Sequence, residues 1–185
     1  MRIVAGSLGG RVLRAPPGAD TRPTSEKVRE ALFSILGAPP PGAAALDLYA
    51  GSGALGLEAL SRGVERVTFV DKGRPAIDVL RRNLADLGVV DRAVVVAGDV
   101  PAFLVRPGVG RFRWVFIDPP YRSDLAVRAL EALPASALAD DATVVVEHDR
   151  RNSPADAHGD LLRTDLRRYG DTCLSLYRTR SAEST

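Results

Sequence analysis

The tetrapeptide Asp118-Pro119-Pro120-Tyr121 follows directly on the apolar run Arg113-Trp114-Val115-Phe116-Ile117. Such a run reads as a buried strand, and open α/β folds gather their ligands at the carboxyl ends of strands. Two consecutive prolines fix the backbone and remove two N–H donors, so carbonyl oxygens and the Asp118 carboxylate are left to line a small acceptor-rich pocket. Tyr121 places a flat aromatic ring beside it. Acceptors for the two hydrogens of an exocyclic amine, together with a ring to stack on, suit a nucleobase whose amine nitrogen is to be methylated. That nitrogen is a poor nucleophile because its lone pair is delocalised into the ring. Holding its hydrogens on acceptors favours a more tetrahedral nitrogen, and alignment with a methyl donor supplies much of the remainder through proximity. Taken alone, the tetrapeptide is equally a strand-ending Pro-Pro turn.

A second group of residues favours the chemical reading. An apolar run at 44–49 leads into Gly51, Gly53 and Gly56, the spacing of a nucleotide-cofactor cradle. The first two glycines permit a tight turn and close backbone approach to a ligand, and the third lets the following helix pack on its strand. Asp47 precedes the turn, and Asp71 closes the next strand-like run, Arg66-Val67-Thr68-Phe69-Val70-Asp71, where a ribose-binding acid belongs. A glycine-rich turn with no ligand would show the same three glycines without the second-strand acid.

Composition excludes several classes of protein. The chain has 185 residues, enough for one domain with a substantial core, and 45% of them are hydrophobic. One cysteine, Cys173, rules out an intrachain disulfide, and with only His148 and His158 besides, no structural metal is expected. The opening Met1-Arg2-Ile3-Val4-Ala5-Gly6 lacks the apolar core of a signal peptide and no later run is long enough to cross a bilayer, so a cytoplasmic protein is expected. Net charge is only +2, but Arg2, Arg11, Arg14 and Arg22 face Asp20 alone in the first 22 residues. These arginines suit a phosphate backbone, or else a solvated charged face.

The elements that must position these residues alternate. Short runs at 2–5 and 11–15 flank Gly6-Ser7-Leu8-Gly9-Gly10 and read as a basic β-hairpin, an appendage over residues 1–20, with the main domain at 21–180. Thr24 or Ser25 caps a helix with inward Val28, Ala31, Leu32 and Ile35, stopped by Gly37. Then come strand 44–49, helix 54–62, strand 66–71, helix 74–87, strand 93–97, a short helix near 100–105, strand 113–117, helix 124–133 and strand 142–147, which is parallel α/β winding. A polar surface loop covers 149–160. Runs at 161–169 and 172–178 are separated only by Gly170-Asp171, which permits an antiparallel hairpin and forbids a parallel crossover. A plain dinucleotide-binding fold has no such ending; a seven-stranded methyltransferase sheet requires it. Only the last five residues read as disordered.

The set Asp47-Leu48-Tyr49-Ala50-Gly51-Ser52-Gly53, Asp71, Gly98-Asp99 and Asp118-Pro119-Pro120-Tyr121 resembles the motifs of class I S-adenosylmethionine-dependent methyltransferases that modify base amines. The segments Arg2 to Gly6, Thr21-Arg22-Pro23-Thr24, Val28 to Phe33, Glu147-His148-Asp149 and Tyr169-Gly170-Asp171-Thr172 further resemble the bacterial small-subunit ribosomal RNA guanine-N2 methyltransferases, the RsmD family, over nearly the whole chain. Tyr49 and Ser34 depart mildly from that pattern, where Phe and Asn are common. The resemblance implies S-adenosylmethionine as cofactor, with the turn from Gly51 to Gly56 along its methionine part, Asp47 at the amino-acid end, Asp71 on the ribose and Asp99 on the adenine amine. Tyr49, Ser52, Gly53, Lys72 and Val100 complete the cofactor set. Asp118 and the Pro119 carbonyl would hold the target amine, with Pro120 and Tyr121 completing the catalytic group. Glu147 and His148 either border the same cleft or form a satisfied structural pair. Arg2, Arg11, Arg14, Arg22 and Thr24 would contact RNA, the expected partner being small-subunit ribosomal RNA or an assembling small subunit met by a monomer. Two other classes use the same features. A nicotinamide-dependent dehydrogenase shares the glycine spacing but leaves Asp118 to Tyr121 without a role, and a non-catalytic RNA-binding assembly factor needs no such tetrapeptide. The tetrapeptide itself fits adenine N6, cytosine N4 and guanine N2 alike.

Overall fold

The computed structural model describes residues 1–16, 25–120 and 124–180. Five strands form first: β1 (Ala44–Leu48), β2 (Arg66–Asp71), β3 (Ala93–Ala97), β4 (Phe112–Ile117) and β5 (Leu138–Asp149). They are followed by β6 (Ala157–His158), β7 (Leu161–Tyr169) and β8 (Thr172–Thr179). The helices are α1 (Glu26–Leu36), α2 (Ala54–Ser61), α3 (Arg74–Leu87), α4 (Val100–Leu104) and α5 (Leu125–Ala132). One sheet carries the order β3-β2-β1-β4-β5-β8-β7-β6. β1 to β5 pair in parallel, and β8 enters antiparallel beside β5. This is a Rossmann-like, mostly parallel sheet with a terminal antiparallel hairpin, as expected. It holds eight strands and not the expected seven, because two residues of the polar loop, Ala157 and His158, pair with Leu162 and Leu161 at the far edge.

Side-chain alternation along the strands builds a core on each face. Trp114, Phe116, Ala45, Val67 and Phe69 point to the face covered by α1, α2 and α3, while Val115, Ile117, Leu46, Leu48 and Val70 point to the face covered by α4 and α5. Phe33 of α1 meets the Trp114 ring edge-on at a centroid distance of 5.7 Å, a contact worth ~0.5–1.5 kcal/mol beyond its area. Ser25 caps α1 by accepting the Val28 N–H, and Gly37 ends it at φ 71. β5 starts four residues earlier than expected (Leu138 against 142) because Asp140 and Asp141 sit at an irregularity in the β4–β5 register, with Asp141 at φ 56, where the sequence looks like a loop.

The N-terminal hairpin differs from the appendage that its composition suggests. Its arms pair briefly, at the Arg2–Val12 bridge, with the Ile3 and Leu13 N–H groups donating to the Arg11 and Met1 carbonyls at 2.9 Å. Its energy comes from the body: Ile3 and Leu13 are buried in the core, and the fully buried Glu58 carboxylate of α2 accepts the N–H groups of Val4 and Ala5 at 2.7 and 3.0 Å. Gly6, at φ 86, lies so close to α2 that a Cβ there would sit 2.0 Å from the Ser61 carbonyl oxygen. The expected boundary at residue 20, Arg22, Thr24, Tyr121 and the last five residues lie outside the described residues.

Candidate active site

The turn after β1 is made by backbone that few residues adopt. Tyr49 (φ 60), Gly51 (φ 56) and Gly53 (φ 82) all take left-handed conformations, and the non-glycine residue among them marks local strain of the kind that functional sites hold in place. Buried and half-buried side chains over-determine that shape. Asp71 at the end of β2 accepts the Gly51 N–H at 2.8 Å on one carboxylate oxygen and the Gly73 N–H at 2.7 Å on the other. Asp47, 2% exposed, accepts the Gly56 N–H at 2.8 Å. Burial pushes the Asp47 carboxyl up to about 8, with the Gly56 hydrogen bond opposing and the neighbouring Asp71 adding to the rise. Asn83 of α3, also buried, donates to the Ser52 carbonyl at 2.9 Å and exchanges hydrogen bonds with both backbone groups of Arg14.

The turn opens on a cleft of about 360 Å³ at the carboxyl ends of β1 to β4. Asp47, Tyr49, Gly51, Ser52, Asp71 and Lys72 line it, as do Asp99 and Val100 across from them. Gly53 and Gly56 do not. A Cβ on Gly53 would lie 2.4 Å from a Leu80 methyl, and one on Gly56 would lie 2.3 Å from the Phe69 ring, so these glycines serve close packing under the turn. Lys72 reaches Asp99 at 3.8 Å. Burial, with Asp99 second, pushes the Tyr49 phenol up to about 12, and its hydroxyl donates to the Leu125 carbonyl at 3.3 Å, tying the turn to the start of α5. Met1, Ala15 and Pro16 also line the cleft, which nothing in their residue types signals. Asn83 was legible in principle, as a polar residue among the inward positions Leu80, Leu84 and Leu87 of an amphipathic helix.

A second cavity of about 340 Å³ adjoins the first. Asp118, Pro119 and Pro120 line both. The other walls are rich in acid: Asp124, Glu147 and Asp149 lie there with His148 and Asn152. His148 is buried, and burial lowers its pKa below the usual imidazole range. Its Nδ1 faces the Asp149 carbonyl at 3.0 Å, which can only accept, so Nδ1 carries the hydrogen and Nε2 accepts from the Ser175 hydroxyl at 2.9 Å. His148 therefore satisfies both of its ring nitrogens while bordering the cavity, and the two readings of the Glu147-His148 pair are compatible.

Of the expected RNA-binding arginines, the three described ones, Arg2, Arg11 and Arg14, are engaged. Arg11 donates to the Asp86 carbonyl at 2.7 Å, Arg14 pairs with the Asp86 carboxylate at 2.9 Å, and the Arg2 guanidinium lies 3.9 Å from Glu26. Arg14 and Arg2 keep most of their side-chain surface in solvent. Among the described residues, no group of His, Cys, Asp and Glu is arranged to hold a metal ion, and no helix is long and apolar enough to cross a membrane.

Comparison with known proteins places these features in context. The family model described as conserved hypothetical protein 95 matches residues 1–178. The Bacillus subtilis protein YlbH is 39% identical over 184 residues, covering 97% of this chain and all of that protein. Ribosomal RNA small subunit methyltransferase D of Escherichia coli is 39% identical over 153 residues, covering 82% of this chain and 76% of the relative. The solved structure of the Escherichia coli protein yhhF superposes with a TM-score of 0.82 at 34% identity, covering 97% of this chain and 98% of that one.

Proposed function

Since the chain belongs to the conserved hypothetical protein 95 family, the RsmD family of ribosomal RNA methyltransferases, we propose that it methylates the exocyclic N2 amine of a guanine in small-subunit ribosomal RNA, with S-adenosylmethionine as donor. The observation that carries this reading is the pair of cavities meeting at Asp118-Pro119-Pro120. One fits a cofactor and the other a base, with the reacting atoms brought together at the shared wall.

The first cleft suits a cationic cofactor. Asp71, Asp99 and Asp118 line it against one lysine, itself beside Asp99, with Asp47 buried and neutral below them, so a pyrophosphate would enter a field of its own sign. Asp71 and Asp99 offer acceptors for ribose hydroxyls and an adenine amine, and Leu55, Val100 and Leu125 offer apolar walls. Bound there, S-adenosylmethionine supplies a methyl group on a positively charged sulfur. A nicotinamide dinucleotide fits these walls poorly on charge alone.

The second cavity suits guanine. On its Watson–Crick edge guanine presents N1–H beside the two N2 hydrogens, whereas adenine and cytosine present an amine beside a bare ring nitrogen. Walls that carry Asp118, Glu147 and Asp149 favour the N1–H and N2 side of that edge, where two neighbouring groups both donate and the O6 acceptor lies beyond them. The Asp118 carboxylate and the Pro119 carbonyl accept the amine hydrogens, and Asp118 takes the proton that leaves the nitrogen as its new bond to carbon forms. Tyr121 stacks on the base.

Purified protein, S-adenosylmethionine and small-subunit RNA or particles, followed by digestion to nucleosides and mass spectrometry, test the assignment. N2-methylguanosine is expected; N6-methyladenosine or N4-methylcytidine would overturn it. Asp118→Ala should bind cofactor normally and lose roughly two to four orders of magnitude in turnover. Asp118→Asn should also be poor, since its amide can present donors to an amine that needs acceptors. Tyr121→Phe should be mild and Tyr121→Ala severe.

A further inference from the structure

An acid-walled base cavity creates a problem for the rest of the nucleotide. The phosphates on either side of an extruded base must stop just outside the mouth, and the carboxylates of that wall repel them there, Asp124 less than Glu147 and Asp149 because Arg128 pairs with it at 2.7 Å. Cations at the rim would resolve this. The hairpin arginines are engaged with Asp86 and Glu26, whereas Arg150, Arg151 and Arg168, at the other end of the sheet, have no ion pair among the described residues.

Arg150 and Arg151 sit on the tight turn between Asp149 and Ser153, and Asp149, Asn152 and Ser153 all line the base cavity. This turn is therefore part of the rim. It is held in shape, because the Asp149 carboxylate accepts the Arg151 N–H at 2.8 Å and the Arg150 N–H donates to the Asp171 carbonyl at 3.0 Å. Arg168 joins the same rim through the sheet register: His148 of β5 pairs with Cys173 of β8, which pairs with Arg168 of β7. Paired residues share a face, so Arg168 stands on the face of His148, two strand spacings or roughly 10 Å from it. All three arginines are exposed, and none has an ion pair among the described residues. Some other exposed arginines are paired locally, as Arg111 is with Asp140, Arg128 with Asp124 and Arg167 with Asp165, and others without an ion pair among the described residues, such as Arg66, Arg81 and Arg82, lie toward the other edge of the sheet, away from this cavity.

We propose that Arg150, Arg151 and Arg168 form a phosphate-binding rim that grips the RNA backbone flanking the target nucleotide. This rests on the reading of the second cavity as the base site. The arginine fork matches phosphate oxygens, and placement on a held turn and a paired strand reduces the entropy lost on binding. This rim lies on a different part of the fold from the amino-terminal hairpin, so the RNA backbone is held from the carboxyl-terminal side of the sheet.

The test compares two triple variants for affinity to a small-subunit RNA fragment as salt is varied. Arg150→Gln/Arg151→Gln/Arg168→Gln should weaken binding at least tenfold and flatten the logarithmic salt dependence by roughly 0.7 for each single-strand phosphate that is no longer neutralised. Its affinity for S-adenosylmethionine, measured by calorimetry, should stay unchanged, which also reports folding. Arg66→Gln/Arg81→Gln/Arg82→Gln removes the same charge from exposed positions on the opposite side of the sheet order and should have a small effect. Equal weakening by both triples would mean a general charge effect and overturn the rim, as would an unaltered salt slope. Loss of binding to small-subunit particles with bare RNA unaffected would point to a protein interface and overturn it too. Arg168→Gln alone, read in the same way, should show a smaller loss of the same kind. The methylated nucleoside made by the unaltered protein tests the base-site reading separately.

Discussion

Asp47 carries the sharpest consequence of any one residue. It is an acid sealed under α2, satisfied by one backbone N–H and raised by burial to about 8, so it is neutral at pH 7 in the free protein. The sign of its contribution follows. Below the ordinary carboxylate value both folded and unfolded chains hold the proton and Asp47 is indifferent to pH. Between there and about 8 the unfolded chain releases a proton that the folded chain keeps, so stability falls as pH rises, and above about 8 the loss is complete. Each unit of displacement is worth ~1.4 kcal/mol, so the loss amounts to several kcal/mol at most. Asp47→Asn can still accept the Gly56 N–H and has no charge to desolvate. It should melt higher than the unaltered protein above pH 7, with the gap closing toward pH 4. Thermal melts of the two across that range check it, and parallel curves would show that Asp47 ionises freely. The spacing of Asp47 before the glycine turn was visible in the sequence, but its neutrality was not, because burial depends on what α2 lays over it.

Among the elements, β2, β3 and α3 have the residue bounds that periodicity alone suggests, because each has a clear apolar pattern between glycine or charged stops. The seating of the hairpin is not legible in the same way, because its burial comes from Glu58, Ser61 and Asn83, which lie far along the chain and carry no local signal. Starting the chain after residue 16 should therefore lower the melting temperature and weaken S-adenosylmethionine binding, since it unseats Ile3 and Leu13, strips Glu58 of its two backbone donors, and removes Met1, Ala15 and Pro16 from the cofactor cleft. Calorimetry decides: cofactor affinity equal to that of the full chain would make the hairpin an appendage after all. The packing of α2 on β2 gives a second expectation. Gly56→Ala would push a methyl to 2.3 Å from the Phe69 ring and 2.9 Å from Val67, and should cost about 1–3 kcal/mol in denaturant unfolding. An unchanged midpoint would mean that Phe69 can swing aside.

For the molecule as a whole, the winding order and the terminal hairpin were legible because Gly170-Asp171 leaves room only for an antiparallel return, whereas the second cavity was not, because its walls come from segments as distant as Asp118 and Ser153. A net charge of +2 likewise conceals the arrangement that matters. Acids line both cavities, and the arginines stand outside them. A nucleic acid met by such a protein feels the exposed arginines first, in solvent, where salt screens them and competes through counterions. A cofactor inside the first cleft meets carboxylates partly withdrawn from water, where screening is weaker. Salt should thus separate the two ligands. Between roughly 50 and 200 mM, the affinity for RNA should fall by orders of magnitude if several phosphates are gripped, while the S-adenosylmethionine dissociation constant changes by about twofold or less. Fluorescence anisotropy on a labelled RNA fragment and calorimetry on the cofactor, run in the same buffers, make the comparison. RNA affinity indifferent to salt would show that the exposed arginines do not carry binding, and a cofactor as salt-sensitive as the RNA would place its charges at the surface instead of in the cleft between β1 and β4.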